Sequence, residues 1–147
     1  MLSDSRCWVI RVYSDADGIV DFNLNLAPNI QFLHLQNINA NLTGYGKSWP
    51  WLLRFLSGLR NGNRLEVIEL GVCFPCKRDK AATMASWGDI DSILAGPGFP
   101  FLREVGVKIH PRWGPWGHDM DPWEKLCADI VRGFPLLTGR GVLVNPH

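Results

Sequence analysis

The chain has 147 residues and a formal net charge of +1, with 46% apolar and 20% charged side chains. This length suits one domain over residues 1–147 with a real core, and the composition excludes general disorder. The near-neutral charge gives no electrostatic reason to expect nucleic acid or a membrane surface as a partner.

Short apolar runs with strand character alternate with amphipathic helical segments along the chain. The predicted strands cover residues 9–12, 32–35, 67–70, 104–107 and 142–144. Apolar side chains at helical spacing predict helices at about 48–59, at about 86–94, and from 121 onward. Ser48, Ser86 and Asp121 are the expected N-terminal caps, and Gly133 with Pro135 should end the third helix.

These elements recur with a period of about 36 residues. Trp51, Trp87 and Trp123 lie 36 residues apart, each in the first turns of a predicted helix. The strands recur at spacings of 35, 37 and 37, measured between Leu33, Ile68, Val105 and Val142. The sequence GFPFL at 98–102 also returns as GFPLL at 133–137. Strand and helix alternating at this period indicate a stacked solenoid, with parallel strands on one face and helices on the other.

Three of the strands fit the leucine-rich-repeat core L-x-x-L-x-L-x-x-[N/C]. The best match consists of Leu65, Ile68, Leu70 and Cys73; residues 30–38 and 102–110 fit except at the last position. From about residue 30 onward, the repeats of about 35 residues resemble the C-terminal leucine-rich region of fungal F-box-like proteins. The features that carry this resemblance are the Trp-led helices, the Phe-Pro entry to the strand and the closing PLLTGRGVL at 135–143.

The resemblance implies an α/β, leucine-rich-repeat-like open solenoid that binds a protein target. In that family an N-terminal F-box joins a ubiquitin-ligase adaptor, and the repeats hold the target. No F-box is visible here, so an adaptor is an open second partner rather than an expected one. We therefore predict a non-catalytic binding module. Two alternatives stay open: a truncated relative without independent activity, and a small metal or redox protein built on a C-x-x-C pair.

The outward side of the strands is the predicted recognition surface. Leu33 and Leu35 are expected to face the core, so the residues between them should face solvent. The outward residues form a mixed-charge strip of Arg11, Tyr13, His34, Gln36, Glu69, Glu104 and Lys108. Trp113 and Trp116 lie among Gly and Pro after the fourth strand, where they either pack on the core or anchor a partner. This strip suits a protein partner better than a small molecule, since it implies no deep pocket.

Structural roles explain the possible catalytic and metal-binding residues better than chemistry does. Cys73 and Cys76 could form a redox pair or half a zinc site, but no second C-x-x-C or H-x3-H accompanies them. His118 lies near Asp121 and Glu124, two residues already explained as helix-capping groups. Phosphate loops, nucleophile elbows and H-E-x-x-H motifs are missing from the sequence. We therefore predict no catalytic residues, no metal ligands and no cofactor.

The sequence also favours an intracellular protein of the cytoplasm or nucleus. Its first residues lack the basic and apolar pattern of a signal peptide. Its apolar runs fall short of the ~20 residues that are needed to cross a bilayer. The four cysteines are accordingly expected to be reduced thiols.

Overall fold

One parallel sheet and four helices make up the described part of the chain. The computed structural model describes residues 7–11, 30–39, 48–59, 64–74, 80–111 and 123–147. Its five strands lie side by side in chain order: β1 Cys7–Arg11, β2 Phe32–Asn39, β3 Val67–Phe74, β4 Glu104–Pro111 and β5 Leu143–Pro146. The helices in the described ranges are α1 Ser48–Gly58, α2 Lys80–Leu94, α3 Trp123–Arg132 and α4 Pro135–Gly139. The predicted α/β class with parallel strands is therefore confirmed.

The predicted helices are present, with one large difference at the start of α2. This helix begins at Lys80 rather than near Ser86, so the expected capping role of Ser86 is wrong. Residues 81–85 are Ala, Ala, Thr, Met and Ala, and the strong helix formers among them extend the helix backward. The expected cap Asp121 lies outside the described residues. None of the helices in the described ranges is both long enough and apolar enough to span a bilayer.

Helix α4 lies where the sequence pattern predicts only the end of α3 and the entry to a strand. Pro135 occupies its first turn, where a missing N–H costs nothing. Its own N-terminal flanking residue, Phe134, provides no side-chain cap. The carboxylate of Asp91 in α2 replaces it, because its two oxygens accept the backbone N–H groups of Leu136 and Leu137, both at 2.9 Å. The buried Asp91 is therefore an N-terminal cap supplied by another helix.

Arg140, which directly follows α4, binds the C-terminal end of α2. Its Nη1 donates to the carbonyls of Leu94 and Gly96 at 3.3 and 3.4 Å, and its Nη2 donates to that of Phe99 at 3.1 Å. Leu94 ends α2, so the guanidinium satisfies carbonyls at and just beyond the C-terminus of that helix. Asp91 and Arg140 together join α2 to the segment around α4.

We expect Arg140→Met to lower the free energy of unfolding by about 1–2 kcal/mol, because it removes three partly exposed hydrogen bonds while keeping most of the stem. Urea denaturation followed by circular dichroism measures the change. Arg132→Met is the matched control, since Arg132 is largely exposed and its ion pair within the described residues is with Asp129, at 3.5 Å. Its cost should stay below about 0.5 kcal/mol. Equal losses in the two variants would contradict the role given to Arg140.

A single core lies between the helices and one face of the sheet. The strands contribute alternate residues to it, among them Leu33, Leu35, Ile68, Leu70, Val105, Val107 and Val144. The helices contribute Leu52, Leu56, Trp87, Ile90, Leu126, Ile130 and Leu137 to the same cluster. Side chains alternate between the two faces of a strand, so the residues between these positions face away from the helices.

The three tryptophans at a spacing of 36 have different environments. Trp51 is buried and stacks on Phe55, with ring centroids 4.9 Å apart. Trp87 is fully buried and packs against Phe134. The helical spacing of Trp123, Leu126 and Ile130 predicts one apolar stripe on α3, but Trp123 is 49% exposed, so its predicted burial is wrong. It lies at the margin of that apolar stripe, in the first turn of the helix.

Candidate functional site

Polar residues from neighbouring strands meet on the sheet face opposite the helices. Strand register places His34 beside Glu69, Glu69 beside Gly106, and Gly106 beside Asn145. We call this surface the open sheet face and define it by His34, Gln36, Glu69, Glu104, Lys108 and Asn145. The outward direction that strand alternation predicts for these positions agrees with their partial or full exposure.

Glu104 and Lys108 lie toward opposite ends of the open sheet face. Glu104 is in register with Val67 at the start of β3, and Lys108 is in register with Gly71 farther along it. The Nδ2 of Asn145 donates to Oε1 of Glu104 at 3.4 Å. Lys108 is exposed, whereas Glu104 is half-buried. The face therefore carries a carboxylate at one end and an ammonium group at the other.

His34, Glu69 and His147 form a polar cluster at the centre of this face. Nε2 of His34 lies 3.3 Å from Oε1 of Glu69, and Nε2 of His147 lies 3.8 Å from Oε2. The side chains of His34 and Glu69 are 15% and 19% exposed, and that of His147 is 44% exposed. One carboxylate is thus flanked by two imidazoles. Together the three side chains can both donate and accept hydrogen bonds.

Gly106 makes room for this cluster. A Cβ atom at this position would lie 3.3 Å from Cγ of Glu69 and 3.5 Å from Nε2 of His147. Any larger side chain would have to displace one or both of them. The absence of a side chain at Gly106 therefore allows Glu69 of β3 and His147, which follows β5, to approach each other across β4.

His147 is a member of the site that sequence reasoning missed. It follows the last predicted strand, but its backbone continues the ladder: its N–H donates to Val107 at 2.9 Å, and its carbonyl accepts from Ile109 at 3.0 Å. The alternation of Leu143, Asn145 and His147 along β5 was the signal that could have found it.

The other predicted site residues have different outcomes. The backbone of Arg11, in β1, is in register with that of Gln36, in β2. Tyr13, Trp113 and Trp116 lie outside the described residues, so their predicted roles stay predictions.

The C-x-x-C pair lies only partly within the described residues. Cys73 lies in β3, in register with His110 of β4, and Cys76 falls outside the described part of the chain. Within the described ranges, no group of three His, Cys, Asp or Glu residues is arranged to hold a metal ion.

Comparisons with known proteins give no match, whether against family models, curated proteins or solved structures. The likeness to the leucine-rich region of fungal F-box-like proteins stays a prediction from the sequence. The strand order and the open sheet face are observed in the structure and do not depend on that likeness.

Proposed function

We propose that this protein is a non-catalytic binding module of the leucine-rich-repeat type, which holds a protein target on its open sheet face. The observation that carries the proposal is the alignment of polar residues from four neighbouring strands on the sheet face that the helices leave uncovered. His34 and Glu69 lie in register at its centre, and Lys108 lies on the same face. In repeat proteins, such a continuous face is the usual place for a partner.

Equivalent positions in successive repeats support the solenoid part of the proposal. In the related segments 98–102 and 133–137, the second and fifth residues are buried, and the third and fourth are exposed. The strand entries also match, since Glu104 N–H donates to the carbonyl of Glu66 and Leu143 N–H donates to that of Arg103. Each repeat adds one parallel strand next to the previous one, as a stacked array of repeats requires.

The breadth of the open sheet face favours a protein as the target. Neighbouring strands lie about 4.8 Å apart, so the row from His34 to Asn145 spans roughly 14 Å over four strands. The charges on it are spread out and of both signs. A protein surface can match such a pattern, whereas a small molecule needs a concave site that buries most of its surface.

A target receptor of a ubiquitin ligase, acting in the cytoplasm or nucleus, is the more specific form of this proposal. It derives only from the resemblance to F-box-like proteins, in which the repeats supply target recognition. The adaptor of the ligase is then a second partner, and it would bind elsewhere than the open sheet face.

Charge reversal on the open sheet face should abolish target binding. We expect the triple variant His34→Glu, Glu69→Lys, Lys108→Glu to recover its target at least ~10-fold less well than the unchanged protein, because each contact would now be repulsive or unpaired. The measurement is affinity capture of the tagged chain from cells that express it, with quantitative mass spectrometry of the retained proteins. Recovery of the ligase adaptor in the same experiment tests the more specific form.

A matched control makes the same kinds of charge change on the helix side of the molecule. Ser57→Glu, Asp89→Lys and Arg54→Glu are changes of the same type at exposed positions of α1 and α2. This control should retain the target. If both triple variants retained it equally, the open sheet face would not be the recognition surface. If chaperones alone were recovered with every variant, the binding function itself would be wrong.

A further inference from the structure

Exposed apolar side chains are concentrated in the last three elements of the described chain. Five large apolar residues of the described chain are exposed, and four of them lie on the last three elements: Trp123, Val131, Leu136 and Leu143. β5 pairs with β4 along one edge, and no described strand occupies its other edge. Clusters of exposed apolar residues at a free sheet edge are typical of association surfaces.

Helix α3 carries an apolar stripe beside the one that it buries. Leu126 and Ile130 belong to the core. Trp123, Cys127 and Val131 follow each other at intervals of four residues and therefore form a second row on the adjacent side of the helix. Trp123 and Val131 are exposed, and Cys127 is a half-buried free thiol. In the described ranges, no further helix continues the row α1, α2, α3 past this side.

We propose that a second copy of this chain covers the α3–β5 end, related to the first by a two-fold axis. The second row on α3 is symmetric about Cys127, because Trp123 and Val131 lie four residues to either side of it. When two such helices pack antiparallel, Trp123 of each copy meets Val131 of the other. The two Cys127 side chains then lie nearest the axis.

The free edge of β5 has the same kind of symmetry. The N–H groups of Leu143 and His147 bond to β4, so the N–H and carbonyl of Val144 point toward the free edge. Antiparallel pairing of two copies at Val144 lets each donate to the other. Pro146, which lacks an N–H, then lies opposite Val142, whose N–H already donates to Leu137 at 3.0 Å. Neither residue loses a hydrogen bond in this pairing.

The exposed apolar side chains supply most, but not all, of the apolar area that a dimer of ordinary size buries. Trp123, Val131, Leu136 and Leu143 together expose on the order of 350 Å² of side chain, taking roughly 150–250 Å² for each large side chain when fully exposed. A standard interface buries about 800 Å² per partner, a little over half of it apolar. These four residues therefore supply most of the apolar part, and the helix and strand surfaces around them can supply the rest.

Sedimentation velocity over a wide range of protein concentrations tests the proposal. The unchanged protein should form a dimer, and Val131→Lys or Leu143→Lys should raise the dissociation constant at least ~10-fold. Ser57→Lys introduces the same charge at an exposed position of α1 and should leave the dimer intact. A monomer at every concentration would overturn the inference. So would equal dimerisation of all these variants.

Thiol crosslinking tests the two-fold arrangement separately. In a chain whose other three cysteines are replaced by serine, a short bifunctional maleimide should link two copies through Cys127, and the further change Cys127→Ser should abolish the covalent dimer. A covalent dimer that persists in Cys127→Ser, or assemblies larger than a dimer, would overturn the two-fold arrangement in favour of another contact. Leu143 and Asn145 of β5 border this interface, whereas His34, Glu69 and Lys108 lie on β2, β3 and β4, inside that edge, so failure here leaves the binding proposal untouched.

Discussion

Replacing Asp91 with alanine should lower the free energy of unfolding by about 2–4 kcal/mol. Asp91 is 1% exposed, and its carboxylate accepts two backbone N–H groups at the start of α4. Alanine would leave both donors unsatisfied in a place that water reaches poorly, and it would also open a small void beside Leu137. Urea denaturation monitored by far-ultraviolet circular dichroism gives the change directly.

Two further substitutions separate this cap from a general effect of charge on α2. Asp91→Asn keeps one acceptor oxygen and should therefore lose about half as much stability. Asp89→Ala removes an exposed carboxylate from the same helix and should change stability by less than about 0.5 kcal/mol. If Asp89→Ala and Asp91→Ala cost the same, the cap on α4 would not be the cause.

Gly133→Ala should cost about 1–3 kcal/mol. A Cβ at Gly133 would lie 2.9 Å from Cβ of Trp87 and 3.1 Å from the carbonyl oxygen of Ile130. Trp87 is fully buried against Phe134 and cannot move aside without disturbing the core. The cost comes from this close approach rather than from backbone conformation, since Gly133 does not have a positive φ. Thermal or urea unfolding measures it.

Gly88→Ala is the control for that substitution. Gly88 lies inside α2, and a Cβ atom added there would meet nothing within 4 Å, so alanine should raise stability by up to about 1 kcal/mol. The two glycine variants should thus change stability in opposite directions. A stabilised Gly133→Ala variant would mean that Trp87 has room to move, contrary to the packing described above.

Local periodicity accounts for what could be predicted of the fold. Alternation along a strand depends only on neighbouring residues, so the sequence alone predicts Leu33 and Leu35 in the core and His34 on the outside. The same rule assigns Glu69 and Lys108 to the open sheet face. Because strands and helices recur at a regular interval, their order also indicates parallel pairing with helical crossovers.

Contacts between distant residues account for what could not be predicted. Asp91 caps Leu136 from 45 positions away, and no local pattern marks such a cap. Helix α4 depends on that carboxylate, so the sequence around Pro135 resembles only the end of α3 and the entry to a strand. His147 joins Glu69 only because Gly106 leaves space between them. The early start of α2 reflects helix propensity outweighing a capping residue.

The order of the strands links the stability of one end of the described sheet to the composition of the open sheet face. Each described strand pairs only with its neighbours in chain order, so the end of the sheet can lose structure while its middle stays folded. Fraying of β5 would withdraw His147 and Asn145 but leave His34 beside Glu69. The Asp91 cap on α4 holds the segment that leads into β5. Asp91, buried on the helix side of the sheet, thereby affects the fraction of molecules in which the open sheet face is fully formed.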